Sequence, residues 1–308
     1  MLKKLLFILI SLYLPLQGNT FFEFLTAPKN PDNPGFTIHP NALNSFMYNP
    51  ALRVKSNSGM AFSYNTYPFQ FYHFAAVYQK KMKASNYWGI GLSYLSSDEI
   101  PNYSLSKFYE PVLLGSGRMN NIDLTINYIP VKNNFFSTKL KYGYSIKIIQ
   151  EYLIEESLFG VGGDFGFYLP YSPFLSFGVS VRNIIIPLFN PNSGLPPIQI
   201  SGGMFLKWPI SKFYNLEILL NNSYILNDNN IVLAGMRNVF DLSMSSLSLQ
   251  CNYQHSWSST YFDGLSFGMS IKIKKVKFLT LTYMVDYKNT QWLHNLNVMV
   301  KFYDNKRN

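Results

Sequence analysis

The chain has 308 residues, of which 17% are aromatic and only 14% charged, with a formal net charge of +10. Soluble globular chains carry about 25% charged residues, so this composition argues against a water-facing surface over most of the molecule. The basic excess is scattered over turns, as at Lys80, Lys81 and Lys83 or Lys272, Lys274, Lys275 and Lys277, which suits anionic headgroups or solvated turns and not a nucleic-acid groove.

Lys3 and Lys4 precede an apolar run over residues 5–14 that Pro15 ends. This is the pattern of a signal peptide, and the run is shorter than the roughly 20 residues a spanning helix needs. Cleavage is expected near Gly18 or Asn19, making 1–19 an export signal for the bacterial outer membrane, and no Cys lies there to carry a lipid anchor. The following segment, 20–57, is rich in Pro and Asn and is long enough to enter a barrel as a plug, with Phe21, Phe22, Phe24 and Phe46 as candidate anchors on the inner wall.

From residue 58 onward the dominant signal is alternation with a period of two. Leu175, Phe177, Val179 and Val181 oppose Ser176, Gly178, Ser180 and Arg182, and Leu265, Phe267, Met269 and Ile271 oppose Ser266, Gly268, Ser270 and Lys272. Leu296, Val298, Val300 and Phe302 likewise oppose Asn295, Asn297, Met299 and Lys301. Rows of the same kind start at Trp88, Ile122 and Leu140, and weaker strands are placed at 59–65, 71–80, 159–169, 198–208, 214–224, 231–237, 245–255 and 278–287. The total is about fourteen strands of roughly ten residues, the length a tilted membrane strand requires. The fold class is therefore all-β, a transmembrane antiparallel β-barrel over 58–303 with an N-terminal plug-like segment and a short tail at 304–308. A soluble sandwich also alternates, but its outer face would be charged and its strands shorter. Two connections, 98–117 and 184–196, read as long loops, which in such barrels face outward from the cell.

The strand parity sends Asp123, Lys139, Lys141, Lys147, Asp164, Arg182, Glu217, Lys272 and Lys274 into the lumen, with Lys207 and Lys301. Two readings stand: a basic lumen attracting an anionic ligand, or charges that pair across the interior, the latter favoured because barrel lumens are generically polar. No enzyme chemistry, metal or cofactor is expected, because the four His have no metal-ligand spacing and Cys251 stands alone. His255-Ser256 reads as a loop pair and the glycines of 160–163 as room for bulky lumen residues, not a phosphate loop. Trp88, Trp208, Trp257 and Trp292 read as interface girdles.

Several motifs occur in one order along the chain: Phe22-Glu23-Phe24-Leu25, Asn49-Pro50-Ala51-Leu52 just before strand one, Asp98-Glu99-Ile100-Pro101, Gly163-Asp164-Phe165-Gly166, Val181-Arg182-Asn183-Ile184, Leu195-Pro196-Pro197 and Leu293-His294-Asn295-Leu296. Together they resemble the PorV/PorQ family, relatives of the FadL-type fatty-acid transporters, over nearly the whole mature chain. Two departures stand out: Pro28 and Pro40 bound a stretch that is Gly-rich in the family, and the chain continues past the terminal aromatic strand. The resemblance implies a fourteen-stranded outer-membrane barrel in contact with lipid. It assigns Phe22, Phe24, Leu25, Asn49, Pro50 and Ala51 to a plug and turn motif. As function it implies assistance to type IX protein secretion, with cargo and secretion machinery as partners, or alternatively a FadL-like channel for fatty acids or other hydrophobic small molecules. On residues alone, Asn-Pro-Ala is equally a plain β-turn.

Overall fold

The computed structural model describes residues 43–53, 56–67, 70–82, 86–98, 100–105, 111–130, 140–153, 156–188, 197–226, 230–256, 264–273, 279–288 and 291–302. The expectations placed on Phe22, Phe24, Leu25, Lys139, Lys274 and Trp257, on the signal peptide and on the C-terminal tail lie outside these residues.

The described strands are, in chain order, β1 (Ser58–Tyr67), β2 (Phe71–Lys81), β3 (Tyr87–Ser97), β4 (Ile100–Leu105), β5 (Pro111–Gly117), β6 (Met119–Ile129), β7 (Lys141–Leu153) and β8 (Glu156–Leu169). They continue with β9 (Leu175–Pro187), β10 (Gln199–Pro209), β11 (Tyr214–Ile225), β12 (Asn230–Asp241), β13 (Ser245–Ser256), β14 (Gly264–Ile273), β15 (Leu279–Lys288) and β16 (Gln291–Phe302). All but β4 and β5 form a closed antiparallel barrel of fourteen strands. Each pairs with its sequence neighbour in the wall, and β1 closes on β16 from Ser58↔Phe302 to Asn65↔Asn295. Closure leaves no unpaired edge, the condition for a sheet to survive in lipid.

The alternation read from sequence is the alternation of burial. On β1, Ala61, Ser63 and Asn65 are buried while Phe62 is exposed, and on β9 Ser176 and Ser180 are buried while Phe177 and Val179 are exposed. The exposed row is the lipid-facing one, and it is apolar all round: Phe74, Ile90, Ile126, Ile146, Val179, Leu220, Met236, Leu249, Met269, Leu281 and Leu296. Ring pairs flank it toward both ends, Tyr78 with Trp88 and Tyr214 with Phe240 toward one, Tyr64 with Phe74 and Tyr287 with Trp292 toward the other. Trp208 and Trp292 are strongly exposed in these bands, at opposite ends. Such girdles match the amphipathic rings to the two membrane interfaces.

The connection at 98–117 is not an irregular loop. It carries the separate hairpin of β4 and β5, which pair only with each other. The second long connection begins later than expected, because β9 continues through Ile184 to Pro187. The cause is a bulge: Asn183 adopts φ 62°, and Arg182 and Asn183 together face Asp164 where the β8–β9 register shifts. The extra residue flips the parity, so Ile185 is buried and Ile186 exposed beyond it. A period-two reading loses the strand at that point. The hairpin and the 188–198 connection open at the same rim, opposite the one where β1 starts and β16 ends. We call these the far rim and the terminal rim.

Candidate functional site: the enclosed 43–52 segment and the inner wall

Residues 43–52 lie inside the barrel. A 3-10 helix at Leu43–Met47 packs on β1, β2 and β3, and Leu43, Phe46 and Met47 form one buried cluster with Ala61, Val77 and Met299 of the wall. Its end is closed by Tyr48 and Asn49, whose N–H groups both donate to the Ser45 carbonyl, at 3.0 and 2.9 Å.

The Asn49-Pro50-Ala51 motif follows as a β-turn, with Leu52 N–H donating to the Asn49 carbonyl at 3.0 Å. Asn49 Oδ1 accepts from Ala51 N–H at 3.0 Å, and Asn49 Nδ2 donates to the Phe167 carbonyl of β8 at 2.8 Å. The turn is thus also a tether to the wall. The wall reaches back with three side chains: Asn127 Nδ2 donates to the Pro50 carbonyl at 3.1 Å, Gln79 Nε2 to the Leu52 carbonyl at 3.3 Å and Arg182 Nη1 to the Met47 carbonyl at 3.4 Å. A buried irregular segment must have its backbone polar groups paired, and here inward-facing polar side chains pair them.

Two glycines make the approach possible. A Cβ at Gly143 would collide with the Pro50 carbonyl, and one at Gly166 with Asn49 Oδ1. Both sit on inward rows, so the wall is bare of side chains where the turn rests.

Of the inward charges expected from sequence, Asp123, Lys147, Asp164, Arg182 and Glu217 are buried on the inner wall, and Lys301 with them. Lys141, Lys207 and Lys272 lie on the inward rows, half-buried near the terminal rim. Lys141 Nζ stands 5.4 Å from the Tyr168 ring centre. Charges pair across the wall: Arg237 Nε donates to Glu217 Oε2 at 2.8 Å, with Nη2 on the same oxygen. Lys147 Nζ donates to Asn183 Oδ1 at 2.9 Å and lies 2.8 Å from Asp164 Oδ2, an ionic contact whose angle falls short of a hydrogen bond. Asp164 Oδ1 accepts from the bulged Asn183 N–H at 2.8 Å. Arg182, the other bulge residue, sets its guanidinium 5.3 Å over the Tyr48 ring and donates to Gln199 Oε1. Asp164 and Lys147 thus hold the bulge, and the bulge aims Arg182 at the Met47 carbonyl and the Tyr48 ring.

A Cβ at Gly162 would collide with the Ile184 carbonyl and come within 2.8 Å of Cγ1 of the buried Ile185, so this glycine makes room for the bulged backbone of β9 as well as for a bulky side chain of the inner wall. His255 and Ser256 face opposite sides of β13: Ser256 is buried, and His255 stacks on lipid-row Tyr253 at 6.4 Å. Neighbours in a strand point apart, so they form no nucleophile and base pair. A polar network that sequence reasoning missed joins His73 to Asn65 at 3.1 Å and to Ser93 at 2.7 Å across β1, β2 and β3. Cross-strand register would have aligned Asn65 with His73, but only once the hairpin pairing was known.

Away from the 43–52 segment, part of the inner wall is apolar. Leu95, Ile149, Leu158 and Ile185 form one buried cluster with Tyr67 and Phe71 packed on it. Phe205, Leu219, Ile225, Ile231 and Leu233 form another, which runs along the wall from near the terminal rim, where Tyr168 packs on it, to the far rim. Polar lumens do not need such linings.

No protein-family model and no curated protein matches the chain. Its fold is similar to that of solved outer-membrane channels. The CymD monoaromatic hydrocarbon channel aligns with a TM-score of 0.59 at 9% identity, over 92% of this chain and 99% of that one. The Pseudomonas putida toluene transporter TodX aligns at 0.59 and 12% identity, over 92% and 97%. A Pseudomonas aeruginosa FadL homologue aligns at 0.55 and 9% identity, over 89% and 98%. At these identities the likeness is one of fold: a closed antiparallel barrel like those of these outer-membrane channels.

Proposed function

We propose that the protein is an outer-membrane channel that admits hydrophobic small molecules, with residues 43–52 as the closure. The observation that carries this reading is the axial division of the inner wall. Toward the far rim the wall presents the apolar cluster of Leu95, Ile149, Leu158 and Ile185, joined there by the far end of the second cluster at Ile225 and Ile231, and the terminal half holds the tethered plug. A hydrophobic molecule entering from the far rim gains by leaving water on reaching these clusters, about 25 cal/mol per Å² of apolar surface buried. It then meets a plug held by side-chain hydrogen bonds, each worth about 0.5–1.5 kcal/mol net, a range in which a segment can be displaced without unfolding the barrel. The similar structures are hydrocarbon channels and a toluene transporter, which supports transport over the type IX secretion role implied by the family resemblance.

The test is uptake of labelled toluene and of labelled oleate by cells carrying this protein as their sole channel of the type, beside cells with Ile149→Asp/Leu158→Asp. Uptake above the empty host that falls in the double variant supports the reading. Uptake equal to the empty host for both compounds overturns it, and export of a surface cargo that depends on the protein would restore the secretion role.

A further inference from the structure

The turns of the terminal rim differ around the barrel. Three successive ones, between β8 and β9, β10 and β11, and β12 and β13, repeat an apolar-Ser-x-apolar pattern: Tyr171-Ser172-Pro173-Phe174, Ile210-Ser211-Lys212-Phe213, and the shorter Leu242-Ser243-Met244. The first two are built by the same device. Ser172 Oγ accepts from the N–H groups of Phe174 and Leu175 at 3.2 and 3.0 Å, and Ser211 Oγ accepts from Phe213 N–H at 3.2 Å. Each hairpin also closes through its backbone, with Ser172, Ser211 and Leu242 N–H donating to the carbonyls of Leu175, Tyr214 and Ser245. The turn's backbone is satisfied locally, and the flanking apolar side chains project from it.

They do project. Tyr171, Phe174, Ile210, Phe213, Leu242 and Met244 are each between 50% and 62% exposed, or 67% for Phe213. Turns that face water favour Gly, Asn, Asp and Ser, so six large apolar side chains on three adjacent turns form a patch that calls for an apolar neighbour. The other side of the same rim is different: β2 ends in exposed Lys80 and Lys81.

Continuity identifies the neighbour. On β8 the outward row runs Phe165, Phe167, Leu169 to Tyr171, and on β10 it runs Met204, Leu206, Trp208 to Ile210, with no polar residue between the lipid belt and the turn. On β2 the row is interrupted by a charge, passing from Tyr78 to Lys80 before the exposed Met82 of the turn. The lipid-facing surface therefore reaches further toward the terminal rim on the β8–β13 arc than on the β2–β3 arc. Lys212, exposed between Ile210 and Phe213, places an ammonium on a flexible stem where an anionic headgroup would lie.

We propose that these three turns are a membrane anchor, embedded in the headgroup region of the leaflet beside the terminal rim, so that the barrel sits deeper in the bilayer on the β8–β13 arc than on the β2–β3 arc. Unequal apolar height around one barrel is relieved by tilt or local bilayer deformation, each at modest cost.

The experiment uses the full chain with Cys251→Ser and one new cysteine at a time: Phe213→Cys, Met244→Cys, Lys81→Cys as the aqueous control and Leu220→Cys as the belt control. Each is labelled with an environment-sensitive fluorophore and folded into phosphatidylethanolamine/phosphatidylglycerol vesicles, and folding is verified by gel heat-modifiability. A lipid carrying a nitroxide near its headgroup should quench positions 213 and 244 several-fold more than 81, and aqueous iodide should quench 81 several-fold more than either. If iodide reaches 213 and 244 as freely as 81 in folded protein, the anchor is refuted. The unlabelled Ile210→Ser/Phe213→Ser/Met244→Ser variant gives an independent readout: vesicle binding before insertion should slow several-fold, and an unchanged rate would also count against the anchor.

Discussion

Gly166 lies directly under Asn49: the space that a Cβ on the β8 residue would fill is taken by the amide oxygen of the plug turn. The same amide ties the turn to the Phe167 carbonyl, so the contact that seats the plug depends on one side chain present and another absent.

Gly166→Ala and Gly143→Ala should therefore unseat the turn without breaking the barrel, whose ladder uses backbone groups only. Crowding of this kind costs about 1–3 kcal/mol. Planar-bilayer recordings should show raised conductance for either variant in protein that still migrates as a folded barrel. Conductance at the level of the unmodified protein would mean that residues 43–52 do not control the pore.

Asn49→Ala removes the bond to Phe167 and the cap on Ala51 N–H. It should loosen the segment by about 1–3 kcal/mol, the cost of stripping partners from buried polar groups. Hydrogen exchange in the 43–52 peptide should quicken while peptides from β10 to β16 keep their rates.

Lys147 and Asp164 are both fully enclosed, so each depends on the other. Lys147→Met alone strands a buried carboxylate and should destabilise the folded barrel by about 3–5 kcal/mol, whereas Lys147→Met/Asp164→Leu should recover much of that loss. Urea titrations of protein folded into vesicles give both values, and additive losses in the double variant would deny the coupling. Because Lys147 also donates to Asn183 Oδ1 and Asp164 receives the Asn183 N–H, both variants should in addition loosen the β9 bulge.

The lipid-facing rows can be read by charge insertion. Val179→Arg and Met269→Arg should each cost about 2–4 kcal/mol at the bilayer midplane, and Ser180→Arg and Ser270→Arg much less. Equal costs on the two faces of β9 or of β14 would contradict the inward and outward rows of that strand.

The fourteen strands and their inward and outward rows were legible in the sequence, because a strand in lipid has one face that must be apolar and one that need not be. Val179, Met269 and Leu296 declare their side without any knowledge of their partners. Asp123, Lys147, Asp164, Arg182 and Glu217 likewise declare theirs, since parity alone sends them inward. What local pattern could not contain is contact between segments distant in sequence. That Gly143 and Gly166 are bare to seat Pro50 and Asn49, that Gly162 makes way for the Ile184 carbonyl and that Asn183 breaks the period so that Arg182 meets Met47 are facts of closure. The barrel must first be closed before an inner wall exists for a plug to touch. The same holds for the three apolar turns, each an ordinary short connection in sequence and a single surface only when β8 to β13 stand side by side.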